Sequence, residues 1–231
     1  MTATPGDFDF SFDFDRPESF SYAVALREAA QGQRRGERTR AEICVAACHL
    51  LDRESLFDLK VSAICKAAKV AHGTFYIYFS DRHVLVSDLT LGFVGFVQQA
   101  MLAVAEANSD SSIRATTAAY FMLFEQNPGL MKCLVHNIES FPEAQEAFQK
   151  LNREWITTVV TRIERRLARD GKQNDISHEE LMRRAYALGG MTDQYLSGLL
   201  LIGDPTLVTI SQGREAVIDT LSLLWQRGLE P

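Results

Sequence analysis

A chain of 231 residues, 46% hydrophobic and 23% charged, can bury a sizeable core, and its composition excludes the disordered, collagenous and disulfide-stapled classes. Its formal charge of −6 argues against nucleic acid only if the charge is spread evenly, and it is not. No stretch approaches the roughly 18–20 uninterrupted apolar residues of a membrane span, and MTATPGDFDF lacks the basic start and apolar run of a secretory signal, so the cytoplasm is expected and a membrane partner is not.

Acid and base are segregated. Residues 1–33 hold Asp7, Asp9, Asp13, Asp15, Glu18 and Glu28 against Arg16 and Arg27, whereas RRGERTR at 34–40 sets Arg34, Arg35, Arg38 and Arg40 against Glu37, and Lys60, Lys66, Lys69 and Arg82 follow. A basic region within an acidic chain keeps nucleic acid as a partner. The cysteines, Cys44, Cys48, Cys65 and Cys133, form no C-x-x-C pair. Cys44 and Cys48 stand one helical turn apart beside His49, and Cys65 could join them, but zinc asks for a more regular ligand set. Core or surface thiols are expected, with no metal and no cofactor.

In chain order, DFDFSFDFD at 7–15 alternates Phe with mostly Asp. It reads either as a strand with one aromatic and one anionic face or as a mobile or loosely docked acidic tail; the tail is the favoured reading. Pro17 opens a short helix through ESFSYAVALREAA, and a Gln/Gly/Arg linker follows at 31–36. From Arg38 to Glu54, Ile43, Ala46, Ala47, Leu50 and Leu51 repeat at helical spacing. After a break at Ser55–Leu59, Val61, Ile64, Cys65 and Ala68 give a second short helix, Lys69–Ala71 a tight turn, and His72–Tyr78 a third. The aromatic run Phe75, Tyr76, Tyr78 and Phe79 would have no partner as a strand between helices. As a helix it stacks Phe75 on Phe79 at i, i+4 and turns the tyrosines elsewhere, giving a helix-turn-helix. Asp81 caps a long helix from Arg82 that carries Val84, Leu85, Leu89, Phe93, Phe96 and Val97. Further helical patterns run over 112–126, 128–139, 142–170, 177–203 and 207–228, punctuated by Pro128, Pro142, Gly171 and Pro205. The predicted fold is all-α.

Residues 39–85, TRAEICVAACHLLDRESLFDLKVSAICKAAKVAHGTFYIYFSDRHVL, resemble the TetR family of bacterial transcriptional regulators. The resemblance rests on the Ile-x-x-Ala-Ala-x-x-Leu stripe, the Ala-Ala-x-Val turn, and Gly-Thr-Phe-Tyr-x-Tyr-Phe followed by Arg82 and Leu85. Beyond residue 90 it lies in architecture alone. Ser55 and Lys69 stand where the family prefers glycine with a left-handed backbone, which costs other residues about 1 kcal/mol. Lys69 also puts a further cation near the DNA face. Arg82 replaces the usual lysine.

Composition sets off an acidic, Phe-rich extension at 1–35, and the resemblance implies a helix-turn-helix DNA-binding domain at 36–82 and a helical effector-binding and dimerisation domain at 83–231. In the first helix-turn-helix docking hypothesis, the helix from His72 enters the major groove of double-stranded DNA. His72 and Thr74 then reach base edges or phosphates, and Gly73 allows close approach. Thr39, Arg40, Lys60, Tyr76, Tyr78 and Arg82 grip phosphates, Ser62 reaches a base or a phosphate, and Phe75 and Phe79 are core. The arginine run before the first of these helices is either a solvated face or an arm on the DNA backbone.

At the other end the resemblance implies a small-molecule effector and a homodimer through the last two helices. Gly189, Gly190 and Gly198 permit close helix approach, and Val217, Leu221, Leu224 and Trp225 share one side. Phe93, Phe96, Tyr120, Phe124, His136, Trp155, Tyr186, Gln194 and Tyr195 are candidates for a pocket, about a third of them touching a largely apolar effector. The expected function is a repressor that binds a palindromic operator as a dimer and is released by that effector. An enzyme is not expected: there is no Glu-x-x-His repeat, no phosphate-cradling Gly-rich loop, and no nucleophile and base pair. The alternative is a helix-turn-helix protein without effector control, either a constitutive or accessory DNA binder or a protein-interaction module using the Phe-rich segment.

Overall fold

The structure, a computed structural model, describes residues 10, 12–13, 15–108, 112–169 and 176–230. Its regular elements are all helical. A 3-10 turn at Pro17–Phe20 leads into α1 (Tyr22–Ala29), α2 (Arg35–Leu51), α3 (Val61–Ala68), α4 (His72–Tyr78) and α5 (Arg82–Ala107). Then come α6 (Ser112–Gln126), α7 (Pro128–His136), α8 (Pro142–Arg169) and α9 (His178–Leu196), followed by a π-helical turn at Ser197–Ile202, α10 (Pro205–Ile210) and α11 (Arg214–Gly228).

Local chemistry sets many of these boundaries. The Asp81 carboxylate accepts from the backbone N–H of His83 at 2.7 Å and of Val84 at 3.0 Å, opening α5. Ser177 does the same for Glu180, and Asp204 for Thr206 and Leu207. Pro128 and Pro205 occupy first-turn positions, where a missing N–H costs nothing. The helical pattern expected over 207–228 is interrupted at Ser211–Gly213, where Gly213 adopts φ +98°. The helix expected over 177–203 widens to π after Leu196. The predicted break at Gly171 lies outside the described residues, as do residues 7–9, 11 and 14 of the alternating segment.

The described part of that segment is docked. The Phe10 ring lies 5.0 Å from Phe96 in an edge-on contact, the Phe12 ring 5.1 Å from Phe96 and 5.6 Å from Phe20, and the Phe10 N–H donates to Gln99 at 3.1 Å. Phe20 and Tyr22 are fully buried. Asn127 ties this strap down: its amide accepts from the Tyr22 N–H at 2.7 Å and donates to the Phe20 carbonyl at 2.7 Å. A loose tail is therefore not what Phe10 and Phe12 form; a cluster of apolar rings removes enough area from water to hold the chain against α5.

One apolar cluster runs without interruption from α1 and α2 through α5, α6 and α7, and a second joins α8, α9 and Leu229. By length and composition α5 could cross a membrane, contrary to the sequence expectation, but Leu85, Leu89, Phe93, Phe96, Val97 and Ala100 are wholly buried within the chain. A core helix passes the same test.

Candidate nucleic-acid interface and effector cavity

The turn between α3 and α4 is closed by two backbone bonds, Val70 N–H to the Cys65 carbonyl at 3.0 Å and Lys69 N–H to the Lys66 carbonyl at 3.3 Å. That pattern needs a left-handed residue after the helix, and Lys69 supplies it at φ 55°, ψ 39°. Ser55 does not: Lys69 is the only described non-glycine residue with positive φ, and the Ser55 hydroxyl instead bonds Asp58 at 2.6 Å in a tight turn. The glycine preference therefore matters at one of the two positions.

α4 is two-sided. Phe75 and Phe79 are buried with ring centroids 5.8 Å apart, anchoring it to the core. His72, Gly73 and Tyr76 are exposed, Thr74 and Tyr78 half-buried, and the His72 ring rests edge-on against Tyr76 at 5.3 Å. Lys60 and Ser62 at the start of α3 are exposed, as are Lys66 and Lys69 at its end; Thr39 is half-buried, its hydroxyl bonded to the Arg35 carbonyl at 2.9 Å. The Tyr78 hydroxyl lies 3.6 Å from the position a Cβ at Gly36 would take, an ordinary contact between α4 and α2. Exposed Ile77, on the same face as Gly73 and Tyr76, was not singled out from sequence, because an isoleucine between aromatic residues reads as core.

Two arginines named as phosphate ligands have structural work. Arg40 pairs with Asp88 of α5 and lies over the Phe79 ring at 5.2 Å, joining α2, α4 and α5. Burial raises the Asp88 carboxyl above its usual range, partly offset by Arg40. Arg82 donates to the carbonyls of Phe57 at 2.8 Å and Leu59 at 2.6 Å, pinning the loop between α2 and α3. The cysteines do not converge on a ligand set: Cys44, Cys48, Cys65 and Cys133 are buried thiols, and His49 is exposed. Burial pushes Cys44 and Cys133 up to about 12.

The helix-turn-helix meets the larger helical body at the N-terminus of α7. The Gly129 N–H donates to the Asp52 carboxylate at 3.0 Å, and a Cβ at Gly129 would lie 2.4 Å from the backbone carbon of Leu51. Only glycine fits there without moving α2.

A cavity of about 90 Å³ opens between α5, α6, α8, α9 and α11. Val97, Met101, Phe148, Leu151, Trp155 and Trp225 give it apolar walls, and Tyr120, Asn152, Thr192 and Asp193 its polar atoms. The Tyr120 hydroxyl donates to Asp193 at 2.7 Å; Thr192 accepts from the Trp225 indole N–H at 2.9 Å and donates to the Leu188 carbonyl at 2.8 Å. Burial pushes the Asp193 carboxyl up to about 6, against the lowering effect of Tyr120.

Of the residues the sequence offered for a pocket, Tyr120 and Trp155 line this cavity. Phe93 and Phe96 pack on Tyr22, Phe124 is a buried ring behind Tyr120, and His136 Nε2 meets Ser197 Oγ at 2.6 Å. The Tyr195 hydroxyl meets Ser211 Oγ at 2.7 Å, and Tyr186 and Gln194 face outward. Asp193 and Thr192 were missed, although a lone carboxylate within LGGMTDQYLSGLLLI was a usable signal. The aromatic residues of the list were mostly drawn into packing because helical spacing alone does not separate a core ring from a lining ring.

No family model matches the chain. It is 22% identical over 193 residues to the HTH-type transcriptional regulator EthR of Mycolicibacterium smegmatis, covering 82% of this chain and 85% of that protein. It is 33% identical over 91 residues to an uncharacterised HTH-type transcriptional regulator of Mycobacterium tuberculosis, 39% of this chain and 41% of that one. Among solved structures, a TetR-family transcriptional regulator from Syntrophomonas wolfei superposes with a TM-score of 0.58 at 15% identity, covering 85% of this chain and 97% of that one. The transcriptional regulator FadR from Bacillus subtilis, in complex with stearoyl-CoA, gives 0.55 at 15% identity, covering 78% and 96%. These structures share the fold, and the relatives are regulators rather than enzymes. With the helix-turn-helix built as described and a helical body behind it, the chain has the fold of TetR-family transcriptional regulators and is similar in sequence to HTH-type transcriptional regulators.

Proposed function

We propose that this regulator is a cytoplasmic dimeric repressor that holds a palindromic operator through α3 and α4 and is released by a small, largely apolar effector. The observation that carries the reading is the two-sided α4, with His72, Tyr76 and Ile77 exposed outward and buried phenylalanines anchoring it behind, on the same continuous core as a body with an apolar cavity. On this reading His72, Gly73, Thr74, Tyr76 and Ile77 face the major groove. Lys60, Ser62, Lys66, Lys69, Thr39 and Tyr78 hold phosphates. Arg40 and Arg82 position the unit from behind.

Exposed Leu223 and Leu224 of α11 and Tyr186 of α9 support a two-fold contact through these helices, since such side chains gain from being covered. Gly190 has open space beside it for a close approach, whereas Gly198 is already covered by Leu207 of α10 within the chain.

Release works by population shift. Occupation of the cavity displaces α6 and α9; α7 follows through the Asn127 corner and the His136–Ser197 contact; Gly129 transmits the movement to the end of α2 at Asp52. The two α4 helices then lose the roughly 34–36 Å spacing of successive major grooves. The stearoyl-CoA bound by the FadR neighbour supports an apolar body for the effector. Selection of bound fragments from genomic DNA tests the reading: an inverted repeat with half-sites one helical turn apart is expected, and diffuse recovery would leave an accessory DNA binder instead.

A further inference from the structure

We propose that the effector carries a cationic head, a protonated amine on an apolar body, and that the Asp193 carboxylate binds it. This rests on the cavity being the effector site and adds the charge of what enters it.

The hydroxyl groups around the cavity are engaged within the protein. Thr117 donates to the Ile113 carbonyl at 2.7 Å, Thr192 bridges Trp225 and Leu188, and the Tyr120 hydroxyl is spent on Asp193. Asp193 is the one charged side chain among the described residues that line it. Tyr120 satisfies one of its oxygens, and among the described residues no ion pair and no further hydrogen bond reaches the carboxylate. A carboxylate held between apolar walls without a cation is costly, and the protein leaves that cost standing where a ligand can relieve it.

An ammonium group suits the site twice over. It completes the ion pair, and the cavity is lined by Trp155, Trp225 and Tyr120, aromatic residues of the kind that attract a desolvated cation. The Trp225 N–H is tied to Thr192, so its polar edge is occupied. A fatty acid would bring a second negative charge against Asp193, and an alcohol would leave the carboxylate charge uncompensated. The titratable groups facing the cavity are Asp193 from α9 and Tyr120 from α6; the lining residues of α5, α8 and α11 carry none.

The chain supplies its own reporter, because its two tryptophans, Trp155 and Trp225, both line the cavity. Octylamine, octanol and octanoate, which differ only in the head, are titrated against full-length protein by tryptophan fluorescence near neutral pH. Octylamine is expected to bind about tenfold or more tighter than either of the others. Asp193→Asn should remove that preference while leaving octanol binding within about twofold. In the unmodified protein octylamine should weaken as the pH is lowered through about 6, where Asp193 takes up its proton; this arm decides the matter if Asp193→Asn fails to fold. Octanol or octanoate binding as tightly as octylamine, or an octylamine affinity that ignores both the substitution and pH, would overturn the cationic head and leave the effector cavity intact. If none of the three perturbs either tryptophan, the cavity reading fails as well.

Discussion

Lys69 holds a left-handed backbone that costs a residue with a Cβ about 1 kcal/mol, in a turn the chain could close with glycine. On the proposed reading, its exposed ammonium beside α4 is the reason to keep it. Lys69→Gly should raise stability by about 0.5–1 kcal/mol in denaturant unfolding while weakening DNA binding at every sequence alike. A drop in stability would show the turn to be unstrained. This position was legible through the family resemblance, which expects a left-handed residue there and equally at Ser55, where the structure has none. The roles of Arg40 and Arg82 were not: a side chain's partner, Asp88 or the carbonyls of Phe57 and Leu59, lies far away in sequence, and no local pattern names it. Asp193 belongs to the same class, and its ionisation makes a second test. With its carboxyl at about 6 when folded and near 3.8 when unfolded, the folded chain keeps a proton that the unfolded chain has lost between those values. The stability this group contributes is full below the lower value and is lost as the pH rises through the upper one. Asp193→Asn should therefore stabilise the protein more at high than at low pH, the gain growing by about 1–2 kcal/mol between about pH 5 and pH 7.5. Parallel stability–pH curves for the two proteins would contradict it.

At the scale of elements, the helices follow the periodicity of the apolar residues and the capping residues before them. The aromatic run resolves as α4 for the reason given by spacing: Phe75 and Phe79 one turn apart bury together, while Tyr76 is left outside. What periodicity cannot show is where two elements touch. The π turn after α9 runs through Gly198, where Leu207 of α10 packs at 2.9 Å from the position of an added Cβ, and the break between α10 and α11 falls at Ser211–Gly213. The contact between α7 and α2 is of the same kind. Gly129→Ala pushes a methyl group into the backbone of Leu51 and Asp52, and overpacking of this sort costs about 1–3 kcal/mol. Chemical denaturation should show that loss, with operator affinity changed as well because α2 carries the proposed DNA-binding unit. An unchanged midpoint would mean that α7 does not bear on α2.

For the whole molecule, the segregation of charge read from sequence has a spatial counterpart in the exposed cations of α3, whereas the acidic N-terminal stretch contributes Phe10 and Phe12 to the core beside α5. The proposed dimer puts Leu223 and Leu224 of α11 at the two-fold contact. Sedimentation equilibrium at micromolar concentration should return a dimer, and Leu224→Glu a folded monomer that no longer binds an inverted repeat. The central claim, that the face built from α3 and α4 grips a duplex, is tested most directly by the salt dependence of affinity for the selected operator. Binding should weaken steeply as salt is raised, and replacing Lys60 and Lys69 together by alanine should make the log–log slope shallower by about 2–4, since a dimer would lose four charges near phosphates. An identical slope for the two proteins would place the DNA on some other surface.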